Sequence, residues 1–250
     1  MRTFTLFAVT MLLALPAVVD AGEEPAKAII AKAVKAAGLD KDADKLHAET
    51  WKDKGTIHLM GQKMDYLADW VFQAPDKYRF ELRMELMGQK IEIKMGLDGT
   101  KAFESALGMQ RAIEGDKLDY VKTEAYQFWI MSLNPLLKDK EFKLKALGDT
   151  KVGERVTVGV QVDRAGRPTA KLFFAKDTGL LHKLDITVKN EFDGWKDALD
   201  EAFFDDYKDQ DGRKAFTKLR VHRNGQLLLE ATLSESRRIA PVDVKRFQEP

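Results

Sequence analysis

Alternation of apolar and polar residues is the feature that most limits how this chain can fold. In residues 156–162 every second residue is valine, and threonine, glycine and glutamine stand between them. This pattern is typical of a strand with one buried face. The same period returns in residues 184–188 and 219–221, and Asn224-Gly225 predicts a type I′ hairpin turn. Since two-residue turns join only antiparallel neighbours, we expect roughly ten strands in a mainly antiparallel sheet.

The sequence Met-Gly-Gln-Lys occurs twice, beginning at residues 60 and 87. Each glycine fits the first central position of a two-residue type II′ turn, which would pair Leu59 with Met64 and Leu86 with Ile91. Both registers place the apolar side chains on one face and the charged ones on the other. A shift by one residue would reverse the faces, so the pattern predicts which side chains point inward.

Two segments have helical spacing instead. One follows Pro25 and ends near Gly38, and the other covers residues 115–133, carries Phe128 and Trp129, and stops at Asn134-Pro135. About ten strands with two clear helices leave more apolar sheet surface than the helices cover. The sheet should therefore curl around either a packed interior or a cavity.

The first 21 residues have the features of an export signal. Arg2 precedes an apolar run over residues 6–19, and Val19-Asp20-Ala21 has the small-residue spacing of a cleavage site. We therefore expect a signal peptide over residues 1–21, followed by a single exported, periplasmic domain over residues 22–250. The chain has no cysteine, which excludes disulfides and thiolate metal sites. Its 41 basic and 40 acidic residues give no electrostatic case for nucleic acid.

Asp177-Thr178-Gly179 matches the triplet that carries the catalytic carboxylate of aspartic proteases. Such enzymes need two carboxylates that share a proton, and the chain has one copy of the triplet. Strand patterns on both sides predict a hairpin loop here instead. We expect no catalytic residue.

Other candidate sites for metals and cofactors also lack the required spacing. Asp209-Gln210-Asp211-Gly212 resembles part of a calcium loop, but Tyr207 and Lys218 stand where ligands are needed. The acidic residues between 193 and 206 are interpreted as a solvated face. The four histidines lack the spacing of a zinc site, and no phosphate or dinucleotide motif occurs, so we expect neither a metal nor a cofactor.

Methionine is concentrated in the first strands. Six methionines lie between residues 60 and 109, together with Tyr66, Trp70 and Phe72. Methionine adapts its shape both in cores and on surfaces that bind varied apolar ligands. This segment is therefore either an ordinary core or the wall of a binding site.

Several short motifs follow one another along the exported part of the chain. They are Ala-Ala-Gly at residues 36–38, Trp-Lys-Asp-Lys-Gly at 51–55, Pro-Asp-Lys-Tyr-Arg at 75–79, Gly-Leu-Asp-Gly at 96–99, and a strand, Thr-Gly turn and Leu-Leu restart at 172–181. In this order they resemble the LolA-like family of bacterial periplasmic lipoprotein-localisation carriers. The resemblance implies an α+β fold, in which a strongly curved antiparallel sheet forms an incomplete barrel of roughly ten strands wrapped over two or three helices.

The resemblance also implies a non-enzymatic carrier or binder whose hydrophobic cavity receives lipid or lipoprotein acyl chains. Helix 115–133 would form part of its lid or plug, and a membrane-bound donor or acceptor protein is an implied partner. Our register gives the expected cavity wall, to which the helix adds two aromatic residues: Leu59, Met64, Tyr66, Trp70, Leu82, Met84, Ile93, Met95, Phe128 and Trp129. The alternative is an envelope sensor or assembly factor of the same fold that binds a protein partner.

Overall fold

The computed structural model describes residues 22–41, 48–59, 61–86 and 88–248, and thirteen of its strands form one antiparallel sheet. The predicted signal peptide, residues 1–21, lies outside the described residues. The strands are β1 Ala48–Leu59, β2 Gln62–Gln73, β3 Lys77–Leu86, β4 Gln89–Asp98, β5 Ala102–Ala106, β6 Met109–Ile113, β7 Lys143–Val152, β8 Arg155–Asp163, β9 Ala170–Ala175, β10 Leu181–Asn190, β11 Lys196–Gln210, β12 Arg213–Arg223 and β13 Gln226–Ile239. The helices are α1 Glu23–Ala36, α2 Gly115–Met131 and α3 Asn134–Lys138.

The order of the strands places the helices across the sheet. From β1 in the centre, the chain runs outward strand by strand to the edge strand β6. It then passes through α2 and α3 to the opposite edge, β7, and returns strand by strand to β13, which pairs with β1. The segment that contains α2 and α3 therefore connects the two edges of the curved, open sheet.

The α+β class, the curved antiparallel sheet and both predicted helices are confirmed, but the expected count of ten strands is wrong. The short hairpin of β5 and β6 was missed because each strand has only five residues and four of the five in β6 are exposed. Alternation is weak over such a length. The acidic start of β11 was interpreted as a solvated surface, although it is part of a strand of 15 residues.

The two Met-Gly hairpins form, but their register differs from the expected one by two residues. Leu59 pairs with Gln62 instead of Met64, and Leu86 pairs with Gln89 instead of Ile91. The glycine takes the second position of each two-residue loop, where its φ of +76° is the left-handed conformation that favours glycine. A difference of two residues leaves every side chain on its predicted face.

Charge explains the observed register. The expected pairing placed Glu85 directly opposite Glu92, whereas the structure places Arg83 opposite Glu92 and Glu85 opposite Lys90. Opposite charges on directly facing strand positions stabilise a sheet, and like charges destabilise it. The Asn224-Gly225 hairpin has the predicted register, with Arg223 opposite Gln226 and positive φ at both loop residues.

The pairing of β1 with β13 is irregular. At Gly55 the strands approach so closely that a Cβ atom would lie 2.1 Å from the carbonyl oxygen of Glu230. The register of this pair also shifts between Thr50 and Lys52, and Glu235 in β13 has a φ of +53°. Such irregularities bend strands and increase their twist. Only glycine fits at this corner of the sheet.

Helix α1 packs on β7 and β8 near one edge of the sheet, and α3 packs against α1. Their apolar residues, including Ile30 and Leu136, pack with Val160, Val162 and Leu172, all of which are at most 2% exposed. We call this cluster the packed region. The positive φ of Gly38 ends α1 as the sequence predicts.

Candidate apolar cavity

A cavity of about 470 Å³ lies between α2 and the inner faces of the central strands. Ligand sites usually measure about 300–1,000 Å³, so this space is large enough for a small apolar molecule. Side chains from β1 to β4 form one wall and side chains from β10 to β13 form the other. The apolar residues of the second wall are Leu181, Leu184, Ile186, Ala202, Phe204, Tyr207, Ala215, Phe216, Leu219, Val221, Leu228, Leu229 and Leu233.

The structure brings six of the ten predicted wall residues to this cavity. They are Leu59, Tyr66, Trp70, Leu82, Met95 and Phe128. Met64, Met84 and Ile93 are half-buried but do not line it, and Met84 packs against the cluster around Tyr66 and Ala231. Whether any of the ten binds a lipid stays a prediction.

Trp129 lies on another side of α2 from the cavity. Its ring packs against Phe142 at a centroid distance of 5.0 Å, and the Arg164 guanidinium stands 4.7 Å from the ring. Phe128, one residue earlier, makes edge-to-face contacts with Trp51 at 5.4 Å and Trp70 at 5.7 Å. Such contacts stabilise beyond the area they bury, and here they attach α2 to the first wall.

The second wall was not predicted as part of the site, although its alternation was visible. Residues 184–188 and 219–221 were assigned to strands with one apolar face, but nothing in the sequence shows that β13 pairs with β1. That pairing closes the two halves of the sheet around one space. Strands that are distant in sequence face each other because of the order of strands in the sheet, and local sequence patterns do not encode that order.

An ion pair is buried in the cavity wall. The Arg223 guanidinium donates from Nε and Nη2 to the two oxygens of Asp200, each over 2.8 Å. Both side chains are about 10% exposed or less. The interpretation of the 193–206 acidic residues as a solvated face is therefore wrong for Asp200, which points inward on β11 between Ala198 and Ala202.

Glu124 brings a carboxyl from α2 to the cavity. Its Oε2 accepts a hydrogen bond of 2.7 Å from the fully buried hydroxyl of Tyr78. Burial raises the pKa of Glu124 to about 7, although Tyr78 and Arg223 favour the ionised form. This carboxyl therefore keeps its proton to a higher pH than an exposed glutamate does.

Asp53 occupies an inward position of β1, between Trp51 and Gly55. It is 7% exposed and lines the cavity, and its Oδ1 has no partner of hydrogen-bonding geometry. Burial raises the pKa of Asp53 to about 7, while Trp70 and Tyr66 beside it favour the ionised form. The buried Nε1 of Trp70 also lacks a partner. Alternation from Trp51 to Leu59 places Asp53 on the apolar face, which is the sequence signal for this residue.

The remaining charged residues at the cavity lie in pairs or at its margin. Arg238 donates to Glu49 over 3.0 Å, and Arg213 approaches the same carboxylate at 3.6 Å. Lys214 pairs with Asp209 at 3.5 Å, and Glu191 is exposed.

Asp177-Thr178-Gly179 forms the predicted turn between β9 and β10. The Thr178 amide donates to the Asp177 carboxylate over 2.9 Å, the Leu180 amide donates to the Thr178 hydroxyl, and Gly179 has a φ of +75°. Asp211-Gly212 forms the turn between β11 and β12, with positive φ at both residues. Within the described ranges, no three histidine or acidic side chains are grouped as a metal site would require.

Comparison with known proteins identifies the fold. Neither a protein-family model nor a curated protein sequence matches the chain. Among solved structures, a LolA superfamily protein from Nitrosomonas europaea is similar, with a TM-score of 0.58 and 8% identity over 90% of this chain and 97% of that one. The chain has the fold of the LolA superfamily.

Two further structures share this LolA-like fold. A DUF1329 family protein from Desulfovibrio piger has a TM-score of 0.58 at 15% identity, over 89% of this chain and 97% of that one. A putative outer membrane lipoprotein-sorting protein domain from Vibrio parahaemolyticus has a TM-score of 0.52 at 10% identity, over 87% and 97%. In the part of the chain that the structure describes, no helix has the length and apolar character needed to cross a bilayer.

Proposed function

We propose that this protein is a non-enzymatic periplasmic carrier or binder of lipid or lipoprotein acyl chains. The observation that carries the proposal is the cavity itself, whose walls are mostly aliphatic and aromatic and whose volume suits a small apolar ligand. The LolA-like fold supports the same assignment, since one similar structure is described as a putative lipoprotein-sorting domain. Export by the predicted signal peptide would bring the protein to the periplasm.

The energetics of acyl transfer explain why a cavity of this kind is useful. Each methylene moved from a bilayer into water costs about 0.8 kcal/mol, so a complete chain would face a cost on the order of 10 kcal/mol. An apolar cavity removes most of that cost. Binding must nevertheless stay close to the affinity of the bilayer, or the ligand would not be released. No catalytic group is required.

The test is to purify the protein from its native envelope and extract it with organic solvent. We expect lipid in a stoichiometric amount by mass spectrometry. A clean extract together with a captured protein partner would contradict the carrier proposal and favour the sensor or assembly-factor alternative.

A matched pair of variants tests the site. Leu82 faces the cavity from β3, whereas Leu67 on the paired strand β2 faces outward and is 54% exposed. Leu82→Glu should abolish reloading of delipidated protein with a fluorescent fatty acyl probe, because it places a charge in the apolar wall. Leu67→Glu should leave reloading unchanged. Equal loading of both variants would show that the lipid binds elsewhere.

A further inference from the structure

The charged groups that line the cavity are unequally matched. Asp200 is paired with Arg223, Glu49 with both Arg238 and Arg213, and Lys214 with Asp209. Among the described residues, Asp53 and Glu124 are the buried or half-buried acidic residues of the lining that form no ion pair. Arg223 lies near enough to lower the pKa of Glu124, but its guanidinium is engaged by Asp200.

Asp53 adds an independent sign that a ligand group belongs here. It is more than nine-tenths buried, and one of its carboxyl oxygens has no hydrogen-bond partner. Buried polar atoms are almost always satisfied, and an unsatisfied one costs roughly 1–3 kcal/mol.

From these observations we propose that the ligand is an amphiphile whose polar group donates hydrogen bonds, such as a hydroxyl, amide or ammonium, and that anionic heads are excluded. The inference rests on the proposed lipid-binding function. Asp53 and Glu124 supply carboxyl oxygens that accept from such a donor. A carboxylate or phosphate head would instead add a negative charge beside two acidic groups in a poorly solvated space, and each described basic residue of the lining already contacts an acidic one.

Displacement of an uncharged fluorescent probe, N-phenyl-1-naphthylamine, by three amphiphiles of equal chain length tests the proposal. The competitors are dodecylamine, dodecanol and dodecanoate, used at about pH 8 so that both carboxyls are mainly ionised. We expect dodecylamine to displace the probe at a concentration about tenfold or more below that of dodecanoate, with dodecanol between them.

Substitutions test whether Asp53 and Glu124 cause the preference for dodecylamine over dodecanoate. Asp53→Asn and Glu124→Gln keep the shape of the side chain and remove its charge. Each should reduce the ratio of the dodecanoate concentration to the dodecylamine concentration that displaces half of the probe. In the double variant the ratio should approach one. The control is Asp65→Asn, because Asp65 is exposed on the outer face of β2, and it should leave the ratio unchanged. Circular dichroism checks that each variant folds.

The outcomes separate this inference from the function on which it rests. Equal displacement by dodecylamine and dodecanoate in the native protein, or an unchanged ratio in the double variant, overturns the donor preference but leaves lipid binding intact. If no amphiphile displaces the probe and no lipid co-purifies, the carrier proposal fails and the head-group inference fails with it.

Discussion

The packed region under α1 and α3 differs from the central strands β1, β2 and β13 in how completely the sheet is covered. In the packed region, Leu172 and Val160 are fully buried against helical side chains. At the central strands, a small buried cluster of Tyr66, Ala68 and Ala231 is surrounded by partly buried residues such as Leu82 and Leu229. One continuous sheet thus carries both the packed region and, at its central strands, the cavity.

This difference shows that a cavity can form where helices cover a sheet incompletely, while the core elsewhere stays densely packed. Protein interiors normally pack as densely as organic crystals, and a void loses dispersion contacts. Here the helical connection leads from β6 to β7, and among the described helices α2 packs on β1 and β2 through the aromatic contacts of Phe128. The packed region supplies the stability that the hollow does not.

The largest expected change in stability concerns the ion pair of Arg223 and Asp200 in the cavity wall. Arg223→Met leaves the Asp200 carboxylate buried without its partner, and we expect it to lower the free energy of unfolding by about 3–5 kcal/mol. Urea denaturation measures the change. The double variant Arg223→Met with Asp200→Leu should recover most of the loss, because it removes both charges. If the single variant is as stable as the native protein, Asp200 is better solvated than its burial indicates.

Truncation of matching leucines compares the two regions directly. Leu172→Ala removes a fully buried side chain from the packed region and should cost about 2–5 kcal/mol, since the surrounding helices cannot close the void. Leu82→Ala removes a side chain that already borders empty space and should cost about 1 kcal/mol. The same denaturation experiment serves both. Similar losses would mean that the cavity is closed in solution.

The sequence predicts the faces of the strands better than their pairing. Alternation assigned Leu82 and Met95 to the inner face, and both lie there because a register shift of two residues preserves the faces. The exact register depends on which loop residue takes positive φ and on facing charges such as Arg83 and Glu92. Those contributions are each below about 1 kcal/mol, too small to be deduced from a turn motif.

The candidate site was only half predictable for a related reason. The first wall follows from strands that are neighbours in sequence, whereas the second wall comes from strands more than 100 residues away that meet β1 only through β13. Asp53 and Glu124 were missed because a polar residue on an apolar face appears in sequence as an exception to the pattern. Such exceptions are where functional residues are expected.

The hollow should also make stability depend on pH through Asp53. Its pKa rises from 3.8 to about 7 on folding, so between these values the folded protein holds a proton that the unfolded chain has released. The free energy of unfolding should therefore fall as pH rises from about 4 to 7, by at most about 1.4 kcal/mol per pH unit for one group. We expect a total on the order of 2 kcal/mol, since the effective dielectric constant around buried groups in proteins is higher than that of dry protein. Asp53→Asn should reduce this dependence on pH but leave the contribution of Glu124, whose pKa burial also raises to about 7. An unchanged profile would show that Asp53 is ionised without penalty.

Replacing an alanine by leucine in each region gives the smallest expected difference in the free energy of unfolding. Ala170 in the packed region is fully buried, whereas Ala202 lines the cavity. Ala170→Leu should cost about 1–3 kcal/mol, because the added atoms must displace well-packed neighbours. Ala202→Leu should change the free energy of unfolding by less than about 1 kcal/mol, since its new methyl groups extend into empty space. The same variant should weaken probe binding by occupying part of the cavity. If both substitutions destabilise equally, the hollow contains no usable space and the lipid must bind elsewhere.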